Sequence, residues 1–136
     1  MTPALLATSL SVNLASSVIA TMGFSADSSG LDVLILLVLA HWLADYPLQT
    51  DRIAVEKCPG CDKVLNWRWW LTAHAGTHGF FVAWITGVPL LGLAEWGVHT
   101  LIDWGKCQRH YGMAMDQGLH IACKLLWVLL LSTASR

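Results

Sequence analysis

The sequence has little charge. Only 8 Lys and Arg and 9 Asp and Glu occur in 136 residues, or 12% of the chain, whereas a soluble domain carries about 25%. The net charge of −1 provides no basic field that would attract a nucleic acid. With 55% apolar residues and a mean hydropathy of +0.54, the chain is neither disordered nor a nucleic-acid-binding protein. The same composition argues against an ordinary soluble domain.

The sequence also lacks an internal repeat, a low-complexity tract and, before residue 22, any Lys or Arg. A secretory signal peptide begins with a positively charged region, so this N-terminus fits one poorly. We expect residues 1–22 to form a weak extra span or an interfacial helix, followed by a loop. What the sequence does contain is long apolar runs, and its length allows one domain with four or five membrane spans.

Four apolar runs predict an all-α, polytopic transmembrane bundle with four core spans, at residues 31–48, 69–86, 90–106 and 113–133. Pro47 stops the first run, and Gly87-Val88-Pro89 joins the second and third as a helical hairpin. The chain therefore divides into an N-terminal extension, residues 1–30, and a four-helix domain, residues 31–136, with polar loops at 49–68 and 106–112.

Basic residues predict the orientation of these spans. Six of the eight Lys and Arg lie in the two loops, which share one membrane face because an even number of spans separates them. The positive-inside rule predicts that this face is cytoplasmic. The expected location is the inner (cytoplasmic) membrane, and the expected partner is the lipid bilayer.

Histidine and aspartate occur inside the predicted spans as pairs four positions apart, which places both members on one face of a helix. The pairs are His41 with Asp45, His74 with His78, His99 with Asp103, and Asp116 with His120. Polar residues inside a membrane usually face the bundle interior or a cavity. Since each of the four spans carries one pair, we expect all four to converge on a single site.

The predicted hairpin supports this convergence. His78 lies as far before the Val88–Pro89 turn as His99 lies after it, and His74 and Asp103 are related in the same way. Residues at equal distances from the turn lie at equal depth in antiparallel helices. The site is therefore expected in the cytoplasmic half of the bundle.

Histidine with carboxylate favours Zn, Fe or Mn, and bundle cores can hold dinuclear centres. The candidate ligands are His41, Asp45, His74, His78, His99, Asp103, Asp116 and His120. They exceed the needs of one tetrahedral zinc, so either two metals bind or some of them orient the others. Asp45, Asp103 and Asp116 are also candidate catalytic residues, because a spare carboxylate would serve as general base toward a metal-activated water. A metal-free network of His–Asp hydrogen bonds is the alternative.

The two loops contain a second candidate metal site. Cys58-Pro-Gly-Cys61 and Cys107-Gln-Arg-His110 lie on the same predicted face and would together supply a structural zinc site of the Cys3His type. Free thiols with an exposed histidine are the alternative. A reducing cytosol argues against a disulfide between Cys58 and Cys61.

Four motifs occur in a fixed order: AHWLADYPLQTD at residues 40–51, H-x-x-x-H at His74 and His78, HTLIDWGK at 99–106, and DQGLH at 116–120. In order and spacing they closely resemble a family of bacterial and phage membrane proteins called domain of unknown function 3307, over about residues 31–131. The resemblance implies a small polytopic membrane protein but no activity. Its further polar positions, which would orient ligands or bind an anion, are Gln49, Asp51, Lys57, Lys106 and Gln117.

Three functions fit these observations. The first is a membrane-embedded, metal-dependent hydrolase acting on a lipid or lipid-linked phosphate or ester. The second is a cation or proton transporter, with Glu95 and Lys124 extending the polar stripe, although the apolar stretch at residues 33–39 counts against it. The third is a non-enzymatic phage or accessory membrane protein whose polar core is only structural.

Overall fold

The computed structural model describes residues 29–134, which form five α-helices and, within that range, no strand. The helices are α1 (Gly30–Asp45), α2 (Asp51–Glu56), α3 (Trp67–Thr86), α4 (Pro89–Cys107) and α5 (Met113–Ala134). The all-α prediction is confirmed. The prediction for residues 1–22 lies outside the described residues.

Local sequence signals explain the limits of α1. The Ser29 side chain accepts a hydrogen bond from Asp32 N at 3.3 Å, and the Asp32 carboxylate accepts from Ser29 N at 3.0 Å. This reciprocal capping box starts the helix. The helix ends at Asp45, two residues before Pro47, which has no backbone N–H to continue the helical hydrogen bonds. The first predicted span, residues 31–48, was therefore too long at its C-terminal end.

The predicted polar loop at 49–68 is partly helical. Thr50 caps the short α2 by accepting a hydrogen bond from Ile53 N at 3.3 Å, as Ser and Thr commonly do at helix N-termini. Two charged residues at the end of this segment, Glu56 and Lys57, are buried. The loop prediction was wrong here because a six-residue helix leaves little periodicity in the sequence.

Helices α3 and α4 form the predicted hairpin. Gly87 has a left-handed backbone with φ of +68°, which suits glycine at a helix C-terminus, and Pro89 is the first residue of α4, where its missing N–H is tolerated. The helices touch at Gly79 and Gly92. A Cβ on Gly92 would lie 2.5 Å from Gly79 O, and a Cβ on Gly79 would lie 2.6 Å from Gly92 O, so any larger residue would separate the helices.

The four long helices close into a bundle. Helix α3 packs along α4, α4 against α5, α5 against α1 and α1 against α3, while α2 leans on α3. This arrangement gives every long helix one face toward a common interior. The interior is where the four sequence pairs meet.

The bundle is polar inside and apolar outside. Among the described residues, eleven histidine or charged side chains are buried, against six hydrophobic ones, while many large apolar side chains are exposed, including Leu90 at 73% and Trp69 at 69%. Soluble proteins bury apolar side chains and almost never bury Lys, Glu or Asp unpaired. The distribution is therefore the reverse of the usual one.

One described helix has the length and composition of a membrane span, at Met113–Thr133. The other long helices of the described range do not, although four spans were predicted. Helix α1 has 16 residues, about 24 Å at 1.5 Å per residue, against about 30 Å for the bilayer interior. Helices α3 and α4 include the histidines and charged groups of the site, which lower their hydropathy.

Candidate metal centre

All eight predicted ligands meet in the bundle interior. Seven of them are buried, and the side chain of Asp45 is 10% exposed. The imidazole ring of His99 lies at the middle of the cluster, with its centroid 3.8 Å from that of His78 and 4.0 Å from that of His120. The four sequence pairs thus form one continuous site.

The depth relationships predicted from the hairpin are confirmed. The imidazole rings of His78, on α3, and His99, on α4, stack on each other. His74 Nε2 lies 3.4 Å from Asp103 Oδ2 in the neighbouring layer. Since α4 runs antiparallel to α3 from a two-residue turn, residues equally distant from that turn lie at the same height.

Three groups of these residues have ligand atoms close enough to share a metal ion. Within each group the atoms all lie within 4.8 Å of one another. The groups are Asp45, His74, His78 and His99; His41, His99 and His120; and Asp103, Asp116 and His120. The first and third groups have no residue in common.

Several distances within the groups are close to those between two ligands of one metal ion. Two ligands bound at 2.0–2.1 Å to one tetrahedral zinc lie about 3.4 Å apart. His74 Nε2 lies 3.3 Å from Asp45 Oδ1. His120 Nε2 lies 3.6 Å from an oxygen of Asp103 and 3.7 Å from one of Asp116, which is beyond hydrogen-bonding distance.

Several buried polar atoms of the cluster form no hydrogen bond within the described chain. They are His78 Nε2, Asp116 Oδ1, His120 Nδ1 and His120 Nε2. His78 Nε2 does lie 3.1 Å from Asp45 Oδ1. Unpaired buried polar atoms are rare in folded proteins, and a bound ion often satisfies them. All four atoms belong to residues of the first and third groups, so the donor set fits a divalent metal.

Two lysines reach the same carboxylates from the loop end. Lys57 Nζ donates to Asp103 Oδ2 at 2.6 Å, and Lys106 Nζ donates to Asp116 Oδ2 at 2.9 Å. Each aspartate thereby keeps its other oxygen directed toward His120. With neutral histidines, the three aspartates and two lysines leave a net charge of −1, which a divalent cation would more than neutralise.

Gln117 and Gln49 support the edge of the cluster. Gln117 Nε2 donates to Asp45 Oδ2 at 2.8 Å, and its Oε1 lies 3.2 Å from His41 Nε2. His41 must then donate through Nε2, which leaves its Nδ1 facing His78 Nδ1 at 3.3 Å. Gln49, with its amide oriented to satisfy both partners, donates to Asp45 O and accepts from Lys57 Nζ, each at 2.9 Å. Asp51 is exposed in α2, outside the cluster.

A buried ion pair continues the polar column away from the loops. Lys124 Nζ donates to Glu95 Oε1, and Trp127 Nε1 donates to Glu95 Oε2 at 2.6 Å. Among the described residues, no buried histidine or charged side chain lies farther from the loops than this pair, and the buried apolar cluster of Leu37, Val82 and Trp127 packs beside it.

The family model described as "Protein of unknown function (DUF3307)" matches residues 33–135. The chain belongs to this family. The matched range includes the whole His/Asp cluster and both lysines, so the resemblance seen in the motifs is confirmed. No curated protein and no solved structure matches the chain.

The predicted Cys3His zinc site is not formed in this structure. Cys58 and Cys107 are joined by a disulfide, with their Cα atoms 5.2 Å apart, so neither sulfur is available as a thiolate ligand. Cys61 is an exposed free thiol, and the exposed His110 lies against Trp104, with ring centroids 6.2 Å apart. Cysteine spacing alone did not identify this pairing. The disulfide does place both loops at the same end of the bundle, as predicted.

Glu56 is an important residue that sequence reasoning missed. Its carboxylate accepts hydrogen bonds from Arg52 Nε at 2.9 Å, from Trp70 Nε1 at 3.2 Å and from two backbone N–H groups, of Lys63 and Val64. The Arg52 guanidinium holds the pKa of Glu56 below its usual value. These bonds fasten the loop to α3 and thus help to hold the adjacent Lys57 in the site. The Arg52–Glu56 spacing was the available signal.

Proposed function

We propose that this chain is a multi-pass membrane protein whose four long helices surround a metal centre. The support is the reversed distribution of its side chains, with histidine, lysine and carboxylate inside and Leu, Ile, Phe and Trp outside. In water such an apolar surface would cause association, whereas lipid is its natural solvent. A bundle with a short helix such as α1 can be accommodated by local thinning of the bilayer.

The loop end faces the cytoplasm in this proposal, because basic residues in short loops decide orientation during insertion. The disulfide between Cys58 and Cys107 is more typical of an oxidising compartment and predicts the opposite face. The exposed Cys61 offers a direct test. Labelling of Cys61 by a membrane-impermeant maleimide in inverted vesicles, but not in intact spheroplasts, would support the cytoplasmic orientation, and the reverse pattern would overturn it.

We propose further that the cluster holds two divalent ions with different roles. The first group supplies four ligands, the number typical of closed structural sites. The third group, Asp103, Asp116 and His120, supplies three and leaves a position open, as catalytic sites do. A metal at the open position would polarise an ester or phosphoryl oxygen and lower the pKa of a bound water.

The residues around the third group suggest the substrate. Lys57 and Lys106 lie directly beside it, and the side chain of Lys106 is 29% exposed at the loop end. Positive charge there would bind an anionic phosphate, including one attached to a lipid in the adjacent leaflet. Asp116 Oδ1, which forms no hydrogen bond within the described chain, would be the ligand atom that Asp116 supplies, because Lys106 already holds the other oxygen. We therefore propose a metal-dependent hydrolase for lipid-linked phosphates or esters.

The observation that carries the metal proposal is the convergence of the unpaired atoms on His78, Asp116 and His120. The metal proposal is tested by elemental mass spectrometry of detergent-purified protein that has not been exposed to a chelator. Wild type and His110→Ala, which removes the exposed histidine, should contain about two equivalents of Zn, Fe or Mn per chain. His78→Ala should lose at least one. Folded wild type without metal would overturn the proposal.

The hydrolase proposal needs a separate test. A screen of lipid phosphates and esters against metal-loaded wild type should find turnover that Asp103→Asn and Asp116→Asn abolish, while His110→Ala retains it. A substrate that all three variants turn over like the wild type would contradict the assignment of the site. Metal content measured on the same samples separates failure of catalysis from loss of the ion.

The transport alternative is less well supported. A path for a cation or proton needs polar groups across the full depth of the bundle, whereas no buried histidine or charged side chain of the described residues lies farther from the loops than Glu95 and Lys124. Uptake of Zn or Mn into proteoliposomes that contain the protein would support transport. If the protein binds metal but no uptake occurs, the metal is a bound cofactor and not a transported ion.

A further inference from the structure

Glu95 is buried in the bundle one helical turn before His99. Its exposed fraction is 1%, and that of Lys124, its partner on α5, is also 1%. None of the three groups of metal ligands includes Glu95. Such a buried carboxylate needs a role other than coordination.

Both oxygens of Glu95 are acceptors. Oε1 accepts from Lys124 Nζ, and Oε2 accepts from Trp127 Nε1 at 2.6 Å. An ammonium and an indole N–H can only donate. Both oxygens of Glu95 are thus occupied as acceptors, so neither presents a proton to a third neighbour.

The third neighbour is His99. Its Nδ1 lies 3.3 Å from Glu95 Oε1. Because Glu95 can only accept, His99 must carry its proton on Nδ1. In a neutral imidazole the other nitrogen, Nε2, then has the free lone pair.

That lone pair is directed into the cluster. His99 Nε2 lies 3.4 Å from His74 Nε2 and 3.7 Å from Asp103 Oδ2. His99 is also shared by two of the three ligand groups. The tautomer set by Glu95 is therefore the one that a metal ligand requires at this position.

We propose that Glu95, held by Lys124 and Trp127, is a positioning residue that fixes the tautomer and orientation of His99 for metal binding. This inference rests on the proposed metal centre. Carboxylates that accept a hydrogen bond from a metal-bound histidine commonly act in this way, and their loss typically lowers metal affinity 10–100-fold.

A purely structural ion pair is the competing explanation, and a double variant separates the two. Glu95→Leu with Lys124→Leu removes both charges together and fills their space with apolar atoms, a replacement that is often neutral or stabilising. If the pair is only structural, the folded double variant should bind metal like the wild type. If Glu95 positions His99, the folded double variant should bind metal more weakly, because His99 has lost its hydrogen-bond acceptor.

The experiment measures Zn²⁺ affinity by competition with a chelating dye in wild type, the double variant and Gly97→Ala. Gly97 is on the same helix, and a Cβ there would meet no atom within 4 Å, so this control should bind like the wild type. The double variant should bind about 10–100-fold more weakly. A folded double variant with wild-type affinity would overturn the proposal.

The tautomer itself is measured without metal. In protein labelled with ¹⁵N-histidine, the resonances of His99, assigned by their loss in His99→Gln, should show a protonated Nδ1 and an unprotonated Nε2. The opposite pattern would overturn the proposal even if the double variant does not fold. If wild type binds no Zn²⁺ but His99 has the expected tautomer, the metal centre fails while the contact between Glu95 and His99 stands.

Discussion

The imidazole rings of His78 and His99 stack across the α3–α4 hairpin, with centroids 3.8 Å apart and planes inclined by 26°. This close approach depends on the helix spacing, which Gly79 and Gly92 set by direct contact of their backbones. Gly79 directly follows His78 in the chain. The packing of two glycines and the geometry of the histidine cluster are therefore linked.

Gly92→Ala should destabilise the protein and weaken metal binding. The added Cβ would lie 2.5 Å from Gly79 O and 2.6 Å from Ala83 Cβ, so α3 and α4 must separate, at a cost of about 1–3 kcal/mol. Gly97→Ala is the matched control, because its Cβ would meet open space and alanine favours a helix. Thermal unfolding in detergent compares the stability of the two variants. Equal midpoints for the two variants would contradict the role of the contact.

Lys57→Met should destabilise the metal-free protein more than the metal-loaded one. It removes the ammonium 2.6 Å from the buried Asp103 carboxylate, and losing one partner of a buried ion pair costs about 3–5 kcal/mol. A bound divalent ion would replace that positive charge. Unfolding midpoints measured with chelator and with Zn²⁺ test this, with the exposed Lys63→Met as control. If Lys57→Met lowers the unfolding midpoint equally with chelator and with Zn²⁺, Asp103 does not contact the ion.

The disulfide predicts a specific count of thiols. Of the four cysteines, Cys61 and Cys123 are free, so two thiols should react with a maleimide in the denatured, unreduced protein, and four after reduction. The bond joins residues 49 positions apart, and its loss should destabilise the fold by about 4 kcal/mol on the loop-entropy model. Cys107→Ser should unfold at lower temperature than Cys123→Ser. Four reactive thiols before reduction would disprove the pairing.

Glu56 should make the stability of the α2–α3 connection depend on pH. The Arg52 guanidinium holds the pKa of Glu56 below its usual value of 4.5 in the folded protein. Because the pKa is lower in the folded protein, Glu56 stabilises the fold at pH values above its unfolded-state pKa. This contribution is lost as the pH falls through the folded-state pKa. Protease cleavage of residues 57–66 should therefore rise on acidification in wild type. Glu56→Gln should cleave readily at all pH values, and a parallel rise in both proteins would contradict this role.

The sequence predicted those parts of the site that follow from helical periodicity. Pairs such as His41 with Asp45 share a helix face wherever the helix lies, and the turn at Gly87 determines which residues of α3 and α4 lie at equal depth. The eight candidate ligands could therefore be placed together from the sequence alone. The bundle interior then left them only one place to meet.

The contacts made by the loop could not be predicted in this way. Lys57 reaches Asp103 because α2 and the bonds to Glu56 fold the chain back over the bundle, and no periodic pattern describes such a path. The bond between Cys58 and Cys107 is similar, since the spacing within each motif favoured a zinc site shared by the two loops. The disulfide partner of Cys58 is determined by which cysteine lies near it in the folded protein, not by the local sequence.

No buried histidine or charged side chain in the described part of the chain lies beyond Glu95 and Lys124, so the polar column has only one open end. If the bundle spans a membrane as proposed, an ion that enters the cluster traverses only part of the transmembrane voltage and returns by the same side. Occupancy of the centre would then respond weakly to membrane potential, and no ion gradient could be dissipated through it. The cell could thus keep a charged pocket within its permeability barrier without creating a leak.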